Sequence, residues 1–297
     1  MYRTFVILRH TFKEAIVQPI YPLLLGIGSA ILAVFGVLPF FTLGEDTIMY
    51  KAVALDVVLL LALVITLFAT SKSIFEEIED RTMLTLMSKP IRRWEVLVGK
   101  YLGIILAAGL AIVIFGAIIM FSTYFRIPMD YQLRQWTLDD RELRTIHDYR
   151  LMHIVSLAPS LILVWLQVAV LAAIGVALST RFSLVVNLPT VIIIYIAGNL
   201  TRFLFPLDGR SAVVKVFAYL ASWLLPFLRV FDLRSMTVYK ELAVPGTEYV
   251  NTPGAIPMHV VWAGVAIAVG YAVAYAAFAL GAGMWLFETR ELGGSEG

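Results

Sequence analysis

The sequence predicts an all-α, polytopic membrane protein. It has six transmembrane helices, an N-terminal amphipathic elbow-type helix, and a re-entrant or interfacial helix before the last span. Two observations carry that prediction. Of 297 residues, 60% are hydrophobic and only 15% charged, whereas an ordinary soluble domain is about 25% charged. The apolar residues are also gathered into long runs, several of which reach the roughly 20 residues a helix needs to cross a bilayer. The formal net charge of +2 gives no basis for binding nucleic acid. The absence of cysteine excludes disulfides, thiolate metal sites and cysteine nucleophiles.

Residues 1–18 do not span. Arg3, Arg9, His10, Lys13 and Glu14 interrupt them, while Phe5, Leu8, Phe12, Ala15 and Ile16 recur at helical spacing. A basic amphipathic helix of this kind lies among lipid headgroups, and a frayed tail is the plain alternative. The spans are expected at 20–43, 52–70, 101–125, 156–179, 184–205 and 260–287. The first lacks a small-residue cleavage site after a short apolar core, so it is expected to stay as an anchor. Asp56 sits near the outer end of the second span, where it either hydrates or serves transport. Gln167, Asn187 and Asn199 lie within later spans, where amides bond across helices or line a path. With Asp56 they are the candidate translocation-path residues.

Residues 126–155 and 206–259 read as outer loops. In the first, five arginines (126, 134, 141, 144 and 150) balance five acidic residues, and 138–152 suits one or two short surface helices. His147, Asp148 and His153 match no zinc-ligand spacing, so they are expected to be solvated and no metal site is assigned. The apolar run within 216–228 is about 13 residues, or about 20 Å as a helix. That falls short of a hydrocarbon core of about 30 Å, and Pro226 breaks it, hence the re-entrant reading. In the last span, small residues recur every fourth position, at Gly264, Ala268, Ala272 and Ala276 and at Ala266, Gly270 and Ala274, which lets helices approach closely. Six spans put both termini on one side, and the denser Lys and Arg of the inner segments lean toward the cytoplasm of a cell membrane.

No catalytic apparatus is visible. Gly99-Lys100 is followed by Tyr101 where a phosphate loop needs Ser or Thr for magnesium, and the earlier glycine is missing. There is no Gly-x-Ser-x-Gly nucleophile elbow. The chain is therefore expected to bind no cofactor of its own. What stands out is the inner loop at 71–100. Glu76, Glu77, Glu79 and Asp80 precede Arg81, and Ile74, Ile78, Thr82 and Leu86 share one helical face. Pro90 ends that helix, and a basic one from Arg92 to Lys100 runs into the third span. Against an anionic leaflet the acidic cluster is unfavourable, whereas against a basic protein surface it is not.

The run Glu77, Glu79, Thr82, then Pro90, Ile91, Arg93, then Leu97, Gly99, Lys100, Gly103 resembles the inner loop of ABC-2-type transporter permeases, notably the branch that includes permeases of copper-enzyme maturation systems. Those proteins show Glu-x-Glu, a following Thr, Pro-x-x-Arg and Gly-Lys-x-x-Gly. Arg81 departs from the glycine many of them carry before Thr82. The resemblance implies a non-enzymatic permease of an exporter. It would work with a separate ATP-binding-cassette ATPase that binds ATP and magnesium, and with a second permease copy. It also implies a coupling role for Glu76, Glu77, Glu79, Asp80, Arg81, Thr82, Pro90, Arg93, Gly99 and Lys100. An ion-coupled secondary transporter is the alternative, and a membrane enzyme using the region from His147 to His153 is a third reading.

Overall fold

The computed structural model describes residues 2–38, 46–79, 92–132, 140–204 and 225–288. Helix α1 (Tyr2–Val17) is followed by α2 (Ile20–Val37) and α3 (Asp46–Thr70), which continues through a π-helical turn, Ser71–Glu76, to Glu79. Then come α4 (Arg93–Gln132), α5 (Asp140–Ser179) and α6 (Leu184–Leu204). A short α7 (Arg234–Thr237) and a two-stranded parallel pair, β1 (Leu242–Ala243) with β2 (Ile256–Pro257), precede α8 (Met258–Glu288).

Among the described residues, five helical stretches are long and apolar enough to cross a membrane: Ile20–Val37, Asp46–Glu79, Arg93–Ile127, Arg144–Ser179 and Met258–Phe287. The sixth expected span appears as a shorter apolar helix, Leu184–Leu200. Only helices that satisfy their own backbone polar groups survive in hydrocarbon, so hydropathy locates such elements well. The helices alternate in direction. Arg93 and Arg181 reach the carbonyls of Phe287 and Leu286, so the start of α4, the α5–α6 turn and the end of α8 lie together. At the opposite end Arg126 meets the carbonyls of Phe35 and Gly36. Helices α3 and α5 form the centre, with 61% and 72% of their apolar windows buried, and α2 and α8 flank them at 17% and 33%. In the centre Leu55, Leu59 and Ala62 pack with Ile104, Ala108 and Phe115.

Several boundaries move. Helix α2 stops at Val37 because Leu38 turns extended (ψ 131°). The reason is Pro39, whose ring excludes the helical region for the residue before it. The stretch read as an outer loop with short surface helices is largely helical: α4 runs on to Gln132 and α5 begins at Asp140 as one 40-residue helix. Met152, Leu157 and Val164 extend its buried stripe back toward its start, so nothing separates a surface helix from the span. The segment before α8 is also ordered rather than a plain loop, with Leu242 and Val244 buried against Met152 and Val261. Most of the segment read as re-entrant lies outside the described residues.

Candidate functional site

Three ties gather in the first turns of α4. Arg93 donates to Phe287 O (3.1 Å), with its guanidinium 5.4 Å from the Phe287 ring centre. Arg181 donates to Leu286 O (3.2 Å). The two guanidiniums thereby tie the last described turn of α8 to the start of α4 and to the α5–α6 turn. Gly99 and Gly103, one turn apart, let α1 lie directly on α4. A Cβ at Gly99 would come 2.9 Å from Ile7 Cγ2, and one at Gly103 would come 2.7 Å from Leu8 O. Lys100 is buried between them, paired with Glu77 (2.6 Å) and donating to the carbonyl and hydroxyl of Ser73 in the π-helical turn. The carboxylate compensates the buried ammonium, since an unpaired charge in a dry site is costly.

These contacts divide the residues the sequence assigned to ATPase coupling. Glu77, Arg93, Gly99 and Lys100 are engaged within the chain. Glu76 and Glu79 are exposed at the end of α3. Asp80, Arg81, Thr82 and Pro90 lie outside the described residues.

The path residues also divide. Asp56, Gln167 and Asn199 converge on one pocket of about 90 Å³ between α3, α5, α6 and the segment before α8. Asp56 pairs there with Arg234 of α7 (2.6 Å), and Asp232 lies 3.9 Å from the same guanidinium. Burial opposes the Arg234 charge, but the hydrogen bond and charge of Asp56, with Asp232 behind it, outweigh it and raise the Arg234 pKa. Gln167 is buried and lines the pocket. Asn199 bonds back to Tyr195 O in its own helix (2.9 Å). Asn187 does not join them. It is fully buried at the α5–α6 junction, bonded to Gly175 O (3.1 Å) and Ser179 Oγ (2.7 Å), and holds that turn closed.

Beside the pocket is a second polar cluster that the sequence reading missed. Lys51, 1% exposed, donates to Ser156 Oγ (2.7 Å), lies 3.1 Å from His153 Nδ1 and reaches Thr237 O (3.4 Å). His153 was expected to be solvated and is instead buried, because α5 continues through it as a packed helix, whereas His147 is exposed as expected. Arg126, counted among surface charges, is buried over Tyr50 and 3.8 Å from Asp46. A signal for Lys51 was present: Lys51, Leu55 and Val58 form an i, i+4, i+7 stripe whose other members are core. Among the described residues no group of three potential metal ligands occurs.

The arrangement is a helical bundle with a small charged pocket at one end and exposed acidic side chains at the other. Comparison with known families bears on it directly, since residues 32–292 match the family described as ABC-2 family transporter protein. The chain belongs to the ABC-2 transporter family. A comparison with curated proteins finds no match. As an ABC-2 permease subunit, the chain is a multi-pass membrane protein of a family that generally works with an ABC ATPase. The match is to the family as a whole and does not reach the copper-enzyme maturation branch.

Proposed function

We propose that this ABC-2 permease is the translocating subunit of an ATP-driven exporter in the cell membrane, with both termini cytoplasmic. ATP and magnesium are held by a partner ATPase, and a second permease copy completes the complex. The observation that carries this reading is the disposition of the α3–α4 junction. Exposed Glu76 and Glu79 flank residues 80–91 at the same end of the bundle as α1 and the end of α8. That is where an ATPase bearing basic groups has access. Asp80, Arg81, Thr82 and Pro90 belong to the same docking segment. Nucleotide shifts the bundle only through contacts that differ between its two arrangements, and this segment supplies them. Membership of the family supports the partner's class.

The test is co-expression with an ATP-binding-cassette ATPase from the same genome. The two chains are expected to co-purify, and transport into vesicles is expected to require ATP. Transport by the chain alone under a proton gradient, without ATP, would establish the secondary-transporter alternative.

A further inference from the structure

The pocket between α3, α5, α6 and α7 has two features that a structural ion pair does not require. Gln167 is only 7% exposed, yet its amide makes no hydrogen bond among the described residues and faces the cavity. Buried amides are normally paired, and one left open to a cavity is available to an occupant. The charges are also unbalanced. Asp56 and Asp232 each retain 53% side-chain exposure, and both turn toward the single guanidinium of Arg234, itself 24% exposed. An anionic ligand would meet two carboxylates and one guanidinium already engaged at 2.6 Å. A cation would meet the opposite field. The remaining walls mix polar Ser160, Tyr195 and Asn199 with apolar Leu59, Leu163 and Phe231. The apolar members give an organic cation contacts that a hard metal ion, which takes only oxygens, does not use.

We propose that this pocket binds a small organic cation, an ammonium with an adjoining hydrogen-bonding group and an apolar body, and that Arg234 occupies the carboxylate site as an internal substitute when the ligand is absent. The ligand's ammonium takes the place of Arg234 at Asp56 and Asp232, its adjoining group pairs with Gln167, and its apolar part lies on the leucines. Displacing Arg234 removes one tie between α7 and α3, while Thr237 keeps its contacts with Lys51 and Ser160. Occupancy thereby loosens one side of α7. The inference names a ligand class for the path proposed above and rests on that reading.

The test uses the full chain in lipid nanodiscs without nucleotide, titrated with leucinol, an aliphatic amino alcohol, with isoamylamine, which lacks the hydroxyl, and with isoamyl alcohol, which lacks the ammonium. Saturable binding is expected for the two amines only, and tighter for leucinol. Asp56→Asn should weaken it by about tenfold or more, the scale of a charge-assisted hydrogen bond. Arg234→Gln should tighten it by about fivefold, the scale of a part-exposed ion pair. Gln167→Leu, which removes only an unpaired amide and so keeps the fold, should abolish the preference for leucinol over isoamylamine. Equal binding of leucinol and isoamyl alcohol, weaker leucinol binding in Arg234→Gln, or an unchanged preference in Gln167→Leu would overturn the proposal. Absence of amine binding with ATPase association intact removes this inference alone, whereas absence of ATPase association removes the exporter reading.

Discussion

Lys51 donates to Ser156 at 2.7 Å across 105 residues of sequence, and among the described residues no carboxylate meets its ammonium. Its Nζ is held by uncharged partners alone: the Ser156 hydroxyl, the His153 ring and the Thr237 carbonyl. Ser156→Ala removes the nearest acceptor and should cost about 1–3 kcal/mol. Lys51→Met with Ser156→Ala should cost less than the two single changes together, by about 1 kcal/mol, because the second change then removes nothing. Heat-induced loss of monodisperse protein in detergent measures both, and strict additivity would show that the two side chains are not coupled.

Glu77 and its neighbours should separate in experiment. Glu77→Gln leaves buried Lys100 without its carboxylate and should lower thermal stability by several degrees, the effect of an uncompensated buried charge in a chain of this size. Glu76→Lys with Glu79→Lys should leave stability within about 0.5 kcal/mol, as surface changes do, while weakening co-purification with the ATPase. If Glu76→Lys with Glu79→Lys leaves association intact, the acidic flank is not the docking surface.

The seat of α1 on α4 can be tested by disulfide trapping, since the chain has no cysteine of its own. A cysteine pair placed at Ile7 and Gly99 should cross-link, since the Gly99 Cβ position is 3.0 Å from Ile7 Cβ and replacing Ile7 removes the Cγ2 methyl that would crowd it. Adding Gly103→Val should abolish the cross-link, because its Cβ would strike backbone at Leu8 O. Gly26→Val, where a Cβ meets nothing within 4 Å, should leave the cross-link in place. Equal cross-linking in the two valine variants would mean that α1 is not held through its backbone.

Arg93 and Arg181 share the end of α8, so their losses should not simply repeat each other. Arg93→Ala should cost about 1 kcal/mol, the usual net worth of a hydrogen bond, together with its stacking on Phe287. Arg181→Ala, bonded at 3.2 Å and exposed, should cost less. Limited proteolysis near Phe287 reports the loosening directly. Unchanged cleavage in the double variant would contradict the tying role.

The spans were legible in the sequence because hydrocarbon enforces one rule on every backbone group and leaves long apolar runs as its trace. Asn187 was legible only as polar. That it closes a turn while Gln167 opens on a cavity depends on which helix face meets which neighbour. Pairings across long separations left no trace, and Asp56 meets Arg234 across 178 residues from a segment that reads as loop. The intrachain work of the coupling residues was not legible either: Gly99 and Lys100 carry the family pattern, and within the chain the first seats α1 while the second pairs with Glu77. Arg126 and His153 were read as outer-loop residues and Lys51 drew no reading, yet all three are buried because the helices run past the apolar windows that hydropathy marks.

The first turns of α4 have a mechanical meaning. Between Arg93 and Gly103 this one helix grips the foot of α8 through a guanidinium, the back of α1 through bare backbone, and the tail of α3 through an ammonium. The grips are of three chemical kinds and point in different directions, so they resist sliding, twisting and lifting separately. A push delivered at residues 80–91 therefore cannot travel up α4 alone. It arrives at four helices at once, as a load on a shared footing.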